Sequence, residues 1–428
     1  MTAQALNLRQ RRGACPGLSA PMPTGDGLLV RLMPIGTIPL AAFSTLCAAA
    51  WQHGNGVIEV TARGSIQFRG MNAASAPRFA ATVAALGIAA EDGIPVHSSP
   101  LSGLDPEEIL DASALAAALR PALAQTSLAA RLAPKVSVAI DGGGGLSLDE
   151  LAADVRLCAE TINNGVAFRV GVGGDAARAT QLCVVAANDG VAAAMRLLEV
   201  IAQRGRDARA RDILAAEGVV PFRSVLTDLL IGNVSLSTAR KCRDAIGRHA
   251  LRDGPLAYGL GLAFGRSDAA ALERLTEAGG IAGAIGLRAA PGRVLMIVGL
   301  APETSSSFLA AAERLGFIVR ADDPRRHVVA CAGAPVCSSA HIAARAIAPA
   351  IAQASAPHLG RSFAIHISGC TKGCAHPAPA ALTVVGTPSG CALIADGSTR
   401  DVPYALVPAN ELPAAIANFV REREASHV

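Results

Sequence analysis

The sequence predicts an α/β (α+β) fold that contains an internal duplication. Strand-like runs alternate with Ala- and Leu-rich helical patterns along the 428 residues, which is typical of sheets covered by helices. Hydrophobic residues make up 51% of the chain and charged residues 17%, so a large core can form. At about 150 residues per domain, this length predicts several compact units.

The duplication consists of two units, each reading strand, helix, turn and strand-like run. The first unit has these runs at 27–32 and 59–71, and the second has them at 257–264 and 288–300. Gly70 and Gly299 take equivalent places in the two units. We expect the units to superpose as halves of one module.

The remaining elements follow the same alternation. Between the two units, the pattern predicts strands at 136–140, 148–158, 166–172 and 181–186, and helices at 192–204 and 208–218. After the second unit it predicts a strand at 328–331, a helix at 339–354, a strand at 362–367, and a hairpin of 381–385 with 391–395.

Charge and hydropathy exclude several classes of protein. The net charge of +4, from 38 basic and 34 acidic residues, is too balanced for a nucleic-acid-binding protein. We expect no membrane span, because no run of about 18 apolar residues lacks a charge or a breaker. The first 13 residues are polar and basic, unlike a signal peptide. These features predict a cytoplasmic location.

Four of the ten cysteines form two pairs, Cys331-x5-Cys337 and Cys370-x3-Cys374, separated by 32 residues. Each pair follows a predicted strand, in a loop rich in Gly, Pro and Ser. Four thiolates delivered by two loops suit a [4Fe-4S] cluster, because each iron takes one protein sulfur. A zinc site and chance placement of core cysteines remain as alternatives.

Five other cysteines lie singly in apolar surroundings, which predicts small buried hydrophobes: Cys47, Cys158, Cys183, Cys242 and Cys391. Cys15 lies in a turn-like segment and is left without a role.

The paired cysteines resemble those of the nitrite and sulfite reductase superfamily. Segments 25–32, 60–70, 99–111 and 132–141 are similar to that superfamily as well. The resemblance implies two ferredoxin-like halves forming one module, with two α/β domains around a central cavity. It implies ferredoxin-like halves at 20–90 and 251–322, a first α/β domain at 100–250 and an iron–sulfur domain at 325–425.

Within the superfamily, segments 11–32 and 366–386 most resemble its branch in aerobic cobalamin biosynthesis. That resemblance implies a monooxygenase that uses O₂ to hydroxylate the tetrapyrrole precorrin-3A at C20 and close a γ-lactone. A separate NADH-dependent reductase would supply the electrons, since no flavin or nicotinamide motif is visible. It also implies a non-haem iron, with ligands that the sequence does not identify.

Cations that bind siroheme in the superfamily are matched at Arg63 and Lys135, which we expect to bind the substrate's carboxylates. Gln67 and Arg69 share one face of the same strand and are further candidates. Two other cations of the pattern are missing, at Ser137 and in segment 95–99. This departure does not favour a permanently bound siroheme. Solvated strand positions or surface ion pairs are the alternative for all four residues.

Residues around the second cysteine pair complete the prediction, although no catalytic residue can be assigned. Lys372 would place a positive charge beside a negatively charged cluster. For His366 and His376 the sequence favours a structural role over iron ligation. Two other functions remain open: a siroheme-dependent sulfite or nitrite reductase, and an iron–sulfur electron carrier without enzymatic activity.

Overall fold

The computed structural model of the chain describes residues 16–162, 165–232, 242–356, 364–376 and 378–425. These residues form four sheets, one of six strands and three of five strands, each accompanied by helices. The predicted α/β architecture is therefore confirmed. No helix within the described ranges is long and apolar enough to cross a membrane.

The first ferredoxin-like half carries five strands and two helices. They are β1 (Met22–Thr24), β2 (Gly27–Leu32), β3 (Ile38–Pro39), α1 (Leu40–His53), β4 (Val57–Val60), β5 (Ile66–Met71) and α2 (Ser75–Ala85).

A larger α/β unit follows, built on the six-stranded sheet. Its elements are β6 (Val96–Ser98), α3 (Ala112–Ala124), α4 (Leu128–Arg131), β7 (Val138–Asp141), β8 (Ala153–Ile162), β9 (Gly165–Gly174), β10 (Thr180–Ala186), α5 (Gly190–Ala202), α6 (Ala210–Glu217), α7 (Val220–Ser224) and β11 (Leu230–Gly232).

The second half and the last unit complete the chain. The second half contains β12 (Gly247–Ala250), β13 (Leu256–Gly261), β14 (Arg266–Asp268), α8 (Ala269–Ile281), β15 (Gly286–Ala290), β16 (Val294–Leu300) and α9 (Ser305–Arg314). The last unit contains β17 (Val328–Ala330), α10 (Ala344–Ser355), β18 (Ile365–Ser368), β19 (Ala380–Thr387), β20 (Gly390–Gly397), β21 (Ala405–Val407) and α11 (Leu412–Ala425).

The two halves exchange one short strand each. Their sheets have the orders β1-β2-β5-β4-β14 and β12-β13-β16-β15-β3, so β14 of the second half completes the first sheet and β3 of the first half completes the second. Helices α1 and α8, which follow the exchanged strands, pack together, and one apolar core contains residues of both halves. The halves therefore form one module, as the sequence predicted.

The strand-like runs at 59–71 and 288–300 are each interrupted by a turn, so each is a hairpin rather than one strand. Gly64 in the first turn has φ +80°, and a Cβ there would lie 2.9 Å from the backbone of Ala290. The first turn therefore packs closely against the second hairpin. The equivalent glycines Gly70 and Gly299 also share a left-handed backbone, with φ +76° and +94°.

Several predicted boundaries are corrected. The helix predicted from residue 339 begins at Ala344, because the preceding residues form the loop that follows the first cysteine pair. The strand predicted at 148–158 begins at Ala153, because Asp141 accepts a hydrogen bond from the Leu148 amide in a turn. β12 pairs with β13, so we now propose that the second half begins at residue 247 instead of 251. The other unit boundaries stay as proposed above.

The single cysteines follow the prediction in part. Cys47, Cys183 and Cys391 are buried, Cys158 is half-buried, and Cys242 is exposed. Cys242 lies just after a charged segment, where its thiol is 3.3 Å from the Asp149 carboxylate. The expectation of burial was wrong for Cys242. Cys15 lies outside the described residues.

Candidate metal centre

The two cysteine pairs lie at one edge of the last sheet. Strands β17 and β18 are parallel neighbours, and Cys331 follows β17 directly while Cys370 comes two residues after β18. Because parallel strands bring their carboxyl ends to the same edge, both cysteine loops leave the sheet together. The amide of Gly369 donates a hydrogen bond to the Cys331 sulfur at 3.0 Å, which is a common way to stabilise a metal-bound thiolate.

The loops are held against each other by close backbone contacts. A Cβ at Gly369 would lie 2.6 Å from the Cβ of Ala340, so only glycine allows this approach. The His341 amide donates to the Gly369 carbonyl at 2.8 Å. Across the same gap, Lys372 Nζ donates to Ser339 Oγ at 2.9 Å. The cysteines are therefore presented by a packed pair of loops.

The four thiols share one electrostatic environment. The pKa of Cys374 is raised above its usual range, first by burial and then by the thiols of Cys370, Cys331 and Cys337. Lys372 acts in the opposite direction on the same pKa. Thiolates that repel one another in this way need a positively charged centre, and metal binding displaces their protons. The arrangement fits a metal cluster.

A cluster and a single metal ion require different spacings between their thiolate ligands. Within the described ranges, no group of three or more His, Cys, Asp or Glu side chains is close enough to hold one metal ion. A tetrahedral zinc site, with Zn–S distances of about 2.3 Å, needs sulfurs that nearly touch. A four-iron cluster takes one thiolate per iron and tolerates wider separation. Four thiolates from two loops meet the requirement of such a cluster for one protein sulfur per iron.

A buried ion-pair network connects the first half to this centre. Arg345 on α10 donates to the Cys331 carbonyl at 3.1 Å and pairs with Glu59 at 2.6 Å. Glu59 also pairs with Arg69 at 3.2 Å, and Arg69 pairs with Asp26 at 2.6 Å. Burial lowers the pKa of Arg345 to about 10, although Glu59 opposes the shift.

Two of the predicted substrate-binding residues belong to this network. The charge of Arg69 is matched by two carboxylates, and its side chain is only 13% exposed. Gln67 is buried between Glu59 and Arg31, and one orientation of its amide bonds to both. The structure thus places Gln67 and Arg69 in a structural network that reaches the cysteine loop.

The other two predicted residues lie elsewhere. Arg63 is exposed in the turn between β4 and β5, and its backbone bridges to Pro291 in the β15–β16 turn. Arg293 in that second turn contributes to lowering the pKa values of His366 and His376. The β15–β16 hairpin therefore lies between the Arg63 turn and the unit that carries the paired cysteines. Lys135 is exposed in the turn before β7.

His366 and His376 lie beside the second cysteine pair, with ring centroids 5.6 Å apart. His366 is fully buried, neither ring nitrogen has a hydrogen-bond partner among the described residues, and burial lowers its pKa to about 4. It is therefore neutral, as an iron ligand must be. Within the described residues, no third His, Cys, Asp or Glu side chain forms a ligand group with this pair.

Neither Arg345 nor Arg293 was predicted from the sequence as a residue of the site. The signal for Arg345 was a single cation in an apolar helical run, eight residues after Cys337. Its partner Glu59 lies 286 residues away, a pairing that no local pattern reveals.

Comparison with known proteins agrees with this geometry. Residues 20–86 match the nitrite/sulfite reductase ferredoxin-like half domain, and residues 90–230 match the nitrite and sulphite reductase 4Fe-4S domain. The four paired cysteines lie outside both matches. The NirA protein of Mycobacterium tuberculosis has the same fold, with a TM-score of 0.74 at 20% identity over 92% of this chain and 80% of that one.

Two proteins are similar along most of the sequence. A ferredoxin–nitrite reductase of Synechococcus elongatus is 24% identical over 357 residues, 77% of this chain and 70% of that protein. A precorrin-3B synthase of Sinorhizobium sp. is 38% identical over 414 residues, 96% of this chain and 88% of that protein.

The duplicated module and the matched domains define a member of the nitrite and sulfite reductase superfamily of oxidoreductases. Within that superfamily, the chain belongs to the precorrin-3B synthase family, and it is an enzyme.

Proposed function

We propose that this enzyme converts precorrin-3A to precorrin-3B with O₂, and that Cys331, Cys337, Cys370 and Cys374 hold a [4Fe-4S] cluster. The observation that carries the proposal is the convergence of these four thiols at one sheet edge, in a chain of this family. When bound, the cluster supplies electrons one at a time.

The overall reaction is a monooxygenation. One oxygen atom of O₂ enters the substrate as a hydroxyl group at C20, and the ring A acetate closes a γ-lactone. The other atom leaves as water after taking up two electrons and two protons. NADH is the source of the electrons, and a separate reductase delivers them, since the sequence has no flavin or nicotinamide motif.

The chain's own residues bind and orient the substrate. Precorrin-3A carries many carboxylates, and Arg63 offers a planar guanidinium that can bind one in bidentate fashion. Lys135 offers a single point charge. The two cations missing at Ser137 and in segment 95–99 leave a weaker site for a resident siroheme, which favours a tetrapyrrole that binds as substrate.

Turnover under ¹⁸O₂ tests the proposal. The cluster-loaded enzyme, NADH and a suitable reductase are incubated with precorrin-3A, and the product is analysed by mass spectrometry. We expect a product that has gained one labelled oxygen atom, and none in the absence of O₂. An enzyme that leaves precorrin-3A unchanged but reduces sulfite or nitrite, with siroheme bands in its spectrum, would contradict the proposal.

A further inference from the structure

A cluster of positive charge lies in a pocket whose lining includes no residue of the cysteine loops. Its lining includes Arg63 from the β4–β5 turn, His97 on β6, Arg120 on α3 and Arg288 on β15. These elements come from both ferredoxin-like halves and the six-stranded unit. Glu91 is the one carboxylate among the lining residues, so the pocket holds an excess of positive charge.

In both Arg120 and Arg288, hydrogen bonds to the protein fix some of the guanidinium nitrogens and leave another one unused by any described residue. Arg120 pairs with Glu91 at 2.7 Å and donates to the Val96 carbonyl at 3.0 Å. Arg288 donates to Thr37 Oγ1 and to the carbonyls of Pro100 and Ser102. These bonds leave Arg120 Nη1 and Arg288 Nη2 without a hydrogen bond to a described residue. Each arginine is therefore held in place with one nitrogen still able to donate.

Neutral polar atoms in the same pocket also lack partners. His97 Nε2 and Ser99 Oγ are buried and make no hydrogen bond within the described part of the chain. Burial, together with the charges of Arg63 and Arg120, lowers the pKa of His97 to about 4, so the ring is neutral. Buried polar atoms without partners are costly, and a bound polar group would remove that cost.

We propose that this pocket binds a peripheral carboxylate of the tetrapyrrole, with Arg120 and Arg288 taking the place of the cations missing at Ser137 and in segment 95–99. The inference rests on the proposed function and deepens it. Arg120 on α3 and Arg288 on β15 lie outside the two missing positions, yet they line the same pocket as Arg63. A carboxylate there would accept hydrogen bonds from the two unused guanidinium nitrogens.

Binding of uroporphyrin III, a porphyrin with a carboxylate on every peripheral side chain, tests the pocket without turnover. The cluster-loaded parent should bind it, and should bind its fully methylated ester much more weakly. Arg288→Gln and Arg120→Gln should each weaken uroporphyrin binding at least about tenfold. Arg421→Gln, at an exposed position on α11, is the control and should bind like the parent.

Conservative variants keep the test valid if a glutamine variant folds poorly. Arg288→Lys and Arg120→Lys retain the charge, and each should bind uroporphyrin more tightly than its glutamine counterpart. Uroporphyrin binding equal to the parent in folded Arg288→Gln and Arg120→Gln, judged by unchanged cluster content, would overturn the proposal.

Malonate competition identifies the source of the carboxylate. Malonate should displace uroporphyrin only weakly, because the macrocycle contributes most of the contact. Tight malonate binding that uroporphyrin does not displace would mean a site for free dicarboxylates, and the proposal would be wrong. If the variants lose uroporphyrin but the parent fails to oxidise precorrin-3A, the pocket stands and the proposed function fails.

Discussion

Glu59 is the residue on which the network beside the cysteine loops depends. Its carboxylate lies between the guanidinium groups of Arg69 and Arg345, and its side chain is only 15% exposed. Arg345 in turn contacts the Cys331 carbonyl. One carboxylate therefore pairs with two buried cations and connects the first half to the unit that carries the paired cysteines.

Replacing Glu59 with alanine should destabilise the protein by about 3–5 kcal/mol, because it leaves the buried charge of Arg345 without its carboxylate partner. The free energy of unfolding in urea measures the effect. Asp322→Ala is the matched control, since it removes a carboxylate from an ion pair whose side chains are 72% and 78% exposed. That variant should change stability by less than about 0.5 kcal/mol. Equal stability of the two variants would show that the network carries little energy.

Arg63→Ala should weaken binding of precorrin-3A at least about tenfold while leaving the cluster spectrum unchanged, because a bidentate carboxylate contact is lost. Lys135→Ala should act in the same direction but less strongly, since a lysine contributes one point charge. Titration of substrate against the cluster-loaded protein measures both effects, with Arg421→Ala as the control. Parent-like affinity in Arg63→Ala would place the substrate elsewhere.

The role of a residue could be predicted where the residues that act with it lie close to it in the sequence. The paired cysteines stand in short loops, so their pattern is visible in the sequence. Arg69 was predicted to bind the substrate because no residue close to it in the sequence indicates that it forms ion pairs within the protein. Asp26 lies 43 residues before it in the chain. Long-range ion pairs of this kind require the folded structure.

Among the elements, the β1–β2 turn lies directly against the first cysteine loop. A Cβ at Gly25 would lie 2.5 Å from the sulfur of Cys337, so the turn supports that ligand by close backbone contact. The contact joins the first half to the unit that carries the paired cysteines at a second point, beside the Glu59 network.

Gly25→Ala should therefore displace Cys337 and reduce the iron and sulfide content of the purified protein. Gly17→Ala is the matched control, because a Cβ there meets no atom within 4 Å. Iron and acid-labile sulfide per chain, with thermal stability, measure the outcome. Full cluster content in Gly25→Ala would mean that Cys337 moves freely or is not a ligand.

Most elements were predictable from periodicity, and the errors have a common cause. The run at 59–71 contains apolar residues on both sides of a turn, and the turn depends on Gly64 fitting against Ala290. The strand exchange between the halves could not be predicted from the sequence, because β3 and β14 have only two and three residues. Such short strands are defined by their partners rather than by their own pattern.

Two buried neutral histidines in different units make the free energy of unfolding depend on pH. The pKa values of His97 and His366 are both lowered to about 4 by burial. Between that value and about 6.5, the unfolded chain binds protons that the folded protein does not. The free energy of unfolding should therefore fall as pH decreases through this range, by up to about 1.4 kcal/mol per pH unit for each histidine.

Urea unfolding at several pH values between about 4 and 7.5 checks this dependence. His97→Asn should show a shallower decrease than the parent, since one of the two groups is removed. An identical pH dependence in both proteins would mean that folding does not lower the pKa of His97.

If four cysteines from two loops hold one four-iron cluster, the metal content of cysteine variants must change accordingly. Iron and acid-labile sulfide are measured with the visible spectrum in the parent, Cys374→Ser and the exposed control Cys242→Ser. The parent and Cys242→Ser should each contain about four irons and four sulfides per chain, without siroheme bands. Cys374→Ser should lose the cluster. Full iron and sulfide in Cys374→Ser would contradict the assignment.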